Sequence, residues 1–143
     1  MSKYNFNSKF SSTLENAKSA SLKALSFIKS SLPDMPSEDF DDLKLILCEL
    51  LYNAVIHGNN KDTKKNVYIS VNIDKNEVVT VIKDEGKGFD YNKLLSKITI
   101  DDPIALFDEN GRGIRLVMKL ADTVKFEDKG SRIIFFKRVN CYG

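Results

Sequence analysis

The chain has 143 residues, of which 42% are hydrophobic; this points to one soluble domain, because about 150 residues bury roughly 68–70% of their unfolded surface without needing a metal or disulfide staple. Lys and Arg number 22 against 20 Asp and Glu, a formal charge of +2 with a sequence pI near 8.4, which lacks the strongly basic composition of a domain that binds nucleic acid through charge. No run approaches the roughly 20 apolar residues of a membrane span, and Met1 to Phe10 has no apolar stretch after its charges, so the expected partners include neither nucleic acid nor membrane, and the expected compartment is the cytoplasm.

Tyr4 to Phe10 alternates polar and apolar residues as an edge strand would. A first helix is predicted from about Thr13 to Leu32, with Leu14, Ala17, Ala24, Leu25, Ile28 and Leu32 on one face. The proline-punctuated stretch Ser31 to Pro36 separates it from a second helix, for which Ser37 is a good N-cap and Glu38 and Asp39 suit the positive end of the dipole. Leu43, Ile46, Leu47, Leu50, Leu51 and Ala54 form its buried stripe, and Gly58 reads as its C-terminal glycine.

Val67, Ile69, Val71 and Ile73 alternate with Tyr68, Ser70 and Asn72, a period-two strand. The turn Asp74 to Glu77 leads into Val78 to Ile82, an apolar β-branched run expected to be covered on both faces. After a glycine-bearing loop and an aperiodic segment from Tyr91 to Asn110, a helix is predicted from Gly113, with Ile114, Val117, Met118 and Ala121 inward. Strands Thr123 to Glu127 and Ser131 to Val139 close the chain around Asp128-Lys129-Gly130. Helices in one block and strands mostly in hairpins indicate an α+β two-layer sandwich, not a doubly wound parallel sheet. Cys48 and Cys141 match no metal or redox spacing and read as free thiols.

Three clusters stand out. On the second helix Glu49, Asn53 and His57 are separated by about 40° steps around the axis, a polar stripe beside the apolar one. Its carboxylate and amide are oxygen ligands suited to Mg²⁺, which takes only one or two protein ligands when phosphates and water supply the rest. His57 in the last turn suits the dipole's negative end. The second cluster, Asp84-Glu85-Gly86-Lys87-Gly88-Phe89, sets a carboxylate just past a buried strand, where it can accept a hydrogen bond from an exocyclic amine, and follows it with glycines that admit a close backbone approach. The third, Glu109-Asn110-Gly111-Arg112-Gly113-Ile114, leads glycines into a helix whose free N–H groups can hold an anion, with no Gly-Lys-Ser/Thr of a Walker A loop.

Taken in order, Glu-x₃-Asn-Ala-x₂-His-Gly, Asp-x-Gly-x-Gly-Phe and Gly-Arg-Gly-Ile-x-Leu resemble the N, G1 and G2 boxes of the histidine-kinase-like ATPase superfamily, the Bergerat fold. The glutamate four residues before the asparagine, the His-Gly after it and the short chain are most similar to the bacterial anti-sigma-factor serine kinases. The resemblance covers nearly the whole chain, read as a single domain over residues 1–143. It implies helices on one face of a mixed, largely antiparallel sheet, with ATP and Mg²⁺ bound between them. It implies Asn53 as the Mg²⁺ ligand and Glu49 as the general base. Asp84 would bind the adenine amine, with Gly86 and Gly88 shaping the base pocket. Gly111, Arg112, Gly113 and Ile114 would hold the phosphates, and the segment between Phe89 and Gly111 would be an ATP lid. In many relatives a threonine near the last strand helps bind adenine; Ser131 is the nearest hydroxyl, and its role is left open.

The function so implied is that of a serine/threonine protein kinase that binds and phosphorylates a regulatory partner, an anti-anti-sigma (STAS-type) protein, and also holds a sigma factor. A homodimer through the first strand and nearby helix surface is an arrangement the resemblance allows. Two alternatives are an ATP-binding switch without catalysis and an ATPase domain serving a separate histidine-kinase phosphotransfer protein. The latter requires a phosphoacceptor histidine elsewhere, since His57 lies inside the nucleotide motif itself.

Overall fold

The computed structural model describes residues 3–87 and 109–141. The elements run β1 (Lys3–Ser11), α1 (Leu14–Ser31), α2 (Ser37–Asn53), a π-helical turn (Ala54–Gly58), β2 (Asn66–Asp74), β3 (Glu77–Lys83), α3 (Glu109–Leu120), β4 (Thr123–Glu127), a single 3₁₀ turn (Asp128–Gly130) and β5 (Arg132–Arg138). The five strands form one sheet in the order β1-β2-β3-β5-β4, and every pairing between them is antiparallel. This is the α+β two-layer sandwich expected from the sequence. The lid segment and Gly88 lie outside the described residues.

Alternation along the strands decides which face meets the helices. Val67, Val71, Val78, Ile82, Ile133 and Phe135 point inward, where they meet Ala24 and Ile28 of α1, Leu43, Ile46, Leu47 and Leu50 of α2, and Ile114 and Val117 of α3 in one buried cluster. Each fully buried Leu, Ile or Phe there stabilises the fold by about 1.5–3 kcal/mol. Among the described residues no helix covers the opposite face, and Val79 and Val81 are only half-buried. That corrects the expectation of a β3 covered on both faces: a β-branched run has the same composition whether one or two layers cover it.

Other sequence expectations shift at the helix ends. Thr13 caps α1 as its position suggests, its hydroxyl accepting the Asn16 N–H at 3.0 Å, but Leu14 points to solvent. Ser37 is the first helical residue and not the cap; Pro36 takes that place without a side-chain bond. Asp39, in the first turn where its charge suits the dipole, is also buried and accepts the Asn140 N–H at 2.8 Å, tying α2 to the tail after β5. At the far end of α3, the buried Lys137 Nζ donates to the Leu120 carbonyl at 3.0 Å and lies 3.5 Å from Asp42 Oδ2. Met118 faces outward.

Candidate functional site

Leu43, Ile46, Leu47 and Leu50 seat α2 on the sheet, and this turns the flank bearing Glu49 and Asn53 to the side of the stripe, where both are half-buried. Among the described residues neither side chain has a hydrogen-bond partner. α3 crosses this flank. It begins at Glu109, four residues earlier than Gly113, so the two glycines lie within its first turns and do not precede it. An interior glycine costs a helix about 1 kcal/mol relative to alanine, and close packing explains Gly113: a Cβ there would collide with Glu49 Oε2 and lie 3.2 Å from its Cδ. The start of α3 therefore sits directly over the Glu49 carboxylate. Gly111 and Arg112 belong to the same helix, their side-chain positions lying outside the described residues, and the Ile114 side chain anchors the turn in the core.

The end of α2 is widened. Asn59 N–H bonds to the Ala54 carbonyl at 2.9 Å, five residues back, which makes Ala54–Gly58 a π turn, a feature frequent at functional sites. Asn60 and Lys61 then take left-handed φ of 52° and 57° to leave the helix. Gly58 is the last residue of this turn, as its position suggests, but it has no left-handed φ; its role is contact. A Cβ on Gly58 would overlap Asp84 Oδ2 and stand 2.9 Å from Asp84 Cβ, while one on Gly86 would overlap the Gly58 carbonyl. The two motifs thus pack backbone against backbone, and only glycine fits either side.

Asp84 follows β3 and is 7% exposed. Its N–H bonds to the Ser131 carbonyl at 2.9 Å, which brings Ser131, just before β5, next to it; the Ser131 hydroxyl donates to the Asp128 carbonyl at 2.9 Å. Gly86 N–H donates to Asp84 Oδ1 at 2.8 Å. Oδ2 lies over Gly58 and has no hydrogen-bond partner among the described residues. Burial pushes the carboxyl above its ordinary 3.8, and the Gly86 bond and the Lys65 charge pull the other way. A largely buried carboxylate with one oxygen unbonded among the described residues is suited to accept a donor from a ligand.

One residue that the motif reading passed over holds this loop. Asn59 is fully buried. Its amide donates to Ser12 Oγ at 2.8 Å and to the Asn66 carbonyl at 2.9 Å, and its Oδ1 accepts the Glu85 N–H at 2.8 Å. The available signal was an asparagine directly after His-Gly, and polarity alone marks such a residue as loop. Two open grooves lie on the bare face of the sheet, one lined in part by Tyr68, Val81, Lys83 and Arg132, the other by Glu77, Asp122, Phe136 and Arg138; neither includes Glu49, Asn53 or Asp84. No three His, Cys, Asp or Glu side chains cluster as a metal site among the described residues. No helix there is long and apolar enough to cross a membrane.

Gly113 of α3 therefore meets Glu49 of α2, and Gly58 of the π turn meets Asp84 and Gly86 at the end of β3; Asn53 lies between Glu49 and Gly58 along α2. The chain is 28% identical over 106 residues to proteins named "Serine-protein kinase RsbW" from Bacillus cereus (strain AH820) and Bacillus anthracis (strain A0248), and 27% identical to one from Bacillus thuringiensis (strain Al Hakam). Each match spans 71% of this chain and 66% of the relative. The family described as "Histidine kinase-like ATPase domain" matches residues 10–137, and the chain belongs to that family.

Proposed function

We propose that the chain is an ATP-dependent serine/threonine protein kinase of the anti-sigma-factor type, acting in the cytoplasm on a regulatory partner protein. The observation that carries this reading is the convergence of three motifs distant in sequence: Gly113 of α3 on the Glu49 carboxylate, and Gly58 and Gly86 on and beside Asp84. Family membership supports ATP as the nucleotide, and the names of the relatives support transfer to serine.

The residues present fit Mg-ATP. The Asp84 carboxylate, largely buried and with Oδ2 unbonded among the described residues, matches the amino group of adenine, and the close-packed Gly58 and Gly86 leave the backbone near the base. Asn53 offers the one protein oxygen that a phosphate-bound Mg²⁺ needs. The first turn of α3, which includes Gly111 and Arg112, presents N–H groups and the positive end of a dipole to phosphate oxygens, and Gly113 in the next turn lets the helix lie close to Glu49. Bound Mg-ATP supplies the phosphoryl group and neutralises its charge. Glu49 removes the proton from the incoming serine hydroxyl, and α3 holds that carboxylate in place through its contact at Gly113. The partner we assign is an anti-anti-sigma protein of the STAS type, with a sigma factor as the second.

Incubating the full chain with Mg-[γ-³²P]ATP and a candidate partner tests this. Label on a partner serine supports the kinase; tight ATP binding with no label on any partner supports a nucleotide-gated switch instead.

A further inference from the structure

We infer that Asn59 is the positioning residue that gives the pocket its preference for adenine, by fixing the loop that carries Asp84. The inference rests on the reading of Asp84 as the acceptor for adenine and deepens it. Three consecutive N–H groups of that loop are engaged: Asp84 with the Ser131 carbonyl, Glu85 with Asn59 Oδ1, and Gly86 with the side chain of Asp84. The first bond comes from the residue just before the adjoining strand β5 and the third from within the loop. The Glu85 bond alone ties the loop to the helix layer through a side chain.

The orientation of that side chain is forced. Ser12 Oγ has one proton, and donates it to the Lys65 carbonyl at 2.7 Å, so toward Asn59 it can only accept. The Asn66 carbonyl can only accept as well. Both acceptors face Nδ2, which places Oδ1 against the Glu85 N–H. Asn66 also donates its own N–H to Glu85 Oε2 at 2.6 Å, so the start of β2 grips both Asn59 and the loop. Ser12 and Asn59 are 1% and 0% exposed, so no solvent replaces a lost bond and the network holds one geometry. The next residue along from the anchored Glu85 is Gly86, whose N–H turns Asp84 Oδ1 inward and leaves Oδ2 to meet the base. Adenine carries an amino donor where guanine carries a carbonyl acceptor, so an error in the aim of Oδ2 weakens ATP selectively.

The test measures ATP and GTP dissociation constants by calorimetry for the full-length wild type, Asn59→Ala, Ser12→Ala, Asp84→Asn and the Asn59→Ala/Asp84→Asn pair, with a thermal melt of each. Asn59→Ala is expected to weaken ATP by roughly tenfold with GTP little changed, the scale of one buried hydrogen bond lost beside an unsatisfied N–H. In the Asp84→Asn background the same change is expected to shift ATP by less than about threefold, because the residue acts through Asp84. Ser12→Ala removes one acceptor only and is expected to lower the ATP preference in the same direction; it decides the question if Asn59→Ala does not fold. Equal weakening of both nucleotides by Asn59→Ala, or a full loss that adds to that of Asp84→Asn, overturns the inference and leaves a structural role. An Asp84→Asn variant with unchanged preference overturns the adenine reading and this inference together. Loss of preference in Asp84→Asn, but in neither Asn59→Ala nor Ser12→Ala, overturns the Asn59 inference alone.

Discussion

Gly113 and Glu49 occupy adjoining space so closely that a Cβ on residue 113 would fall on Glu49 Oε2. The obstructing atom is the end of a flexible side chain, so Gly113→Ala can be relieved by rotating Glu49 away, and alanine adds up to about 1 kcal/mol of helix propensity. The expected result is a melting temperature at or above wild type, ATP affinity within about threefold, and phosphotransfer reduced at least about tenfold, because a displaced base misses the hydroxyl proton. A variant with wild-type transfer would separate this packing contact from catalysis.

Gly86→Ala meets backbone instead. Its Cβ would strike the Gly58 carbonyl, and relief requires the loop or the π turn to shift. Overpacking of this kind is expected to destabilise by about 1–3 kcal/mol, read as a lower urea midpoint at constant m-value, with ATP affinity falling in parallel. Gly113→Ala and Gly86→Ala thus differ in sign on stability although both add one methyl group.

Asp84→Asn separates stability from binding. Burial raises the folded-state pKa of Asp84 above 3.8, so the folded chain holds that proton better than the unfolded one. The stabilisation this supplies is fully present below the unfolded pKa and is lost as pH rises through the raised folded value. At pH 7 the dry charge opposes folding, and asparagine, whose Oδ1 can still accept the Gly86 N–H, removes it. The variant is expected to gain stability relative to wild type at neutral pH and to lose that gain as pH falls through the raised folded value towards 3.8. Its amide NH₂ then stands where Oδ2 stood and opposes another donor, so ATP should bind at least about tenfold more weakly. Melts across pH together with ATP and GTP titrations check both halves.

Much of this arrangement was legible in the chain. The alternation from Val67 to Ile73 and the α2 stripe fixed which faces are buried, because burial alone produces those periods. Asp84 stood out as a carboxylate just after an apolar strand. Asn59 did not, since its importance lies in three partners that are distant in sequence or beyond the turn, and no local pattern encodes them. Gly58 ends the helical run, but not for the usual reason: Asn60 and Lys61 take the left-handed φ, and the glycine makes room for Asp84. The start of α3 was placed late because glycine propensity argues against helix at residues 111 and 113, and the packing of Ile114 and Val117 outweighs it.

Lys137 reports on how α3 is held at its other end. Its Nζ caps the Leu120 carbonyl and faces Asp42, so Lys137→Ala leaves a buried carbonyl and a carboxylate without their partner. A loss of about 2–3 kcal/mol is expected by chemical denaturation. Lys137→Arg, which keeps the charge and donors, should recover part of it.

The most direct measurement of the central claim is single-turnover phosphotransfer to a cognate partner serine by wild type and Glu49→Gln, with Mg-ATP binding measured on the same preparations. A serine hydroxyl is a poor nucleophile near neutral pH, and a positioned base contributes about 10²–10⁴ in rate. The account predicts that Glu49→Gln binds Mg-ATP within about threefold of wild type while losing transfer by that factor, and that Asn53→Ala loses Mg²⁺-dependent affinity as well. Transfer by Glu49→Gln at the wild-type rate would contradict it.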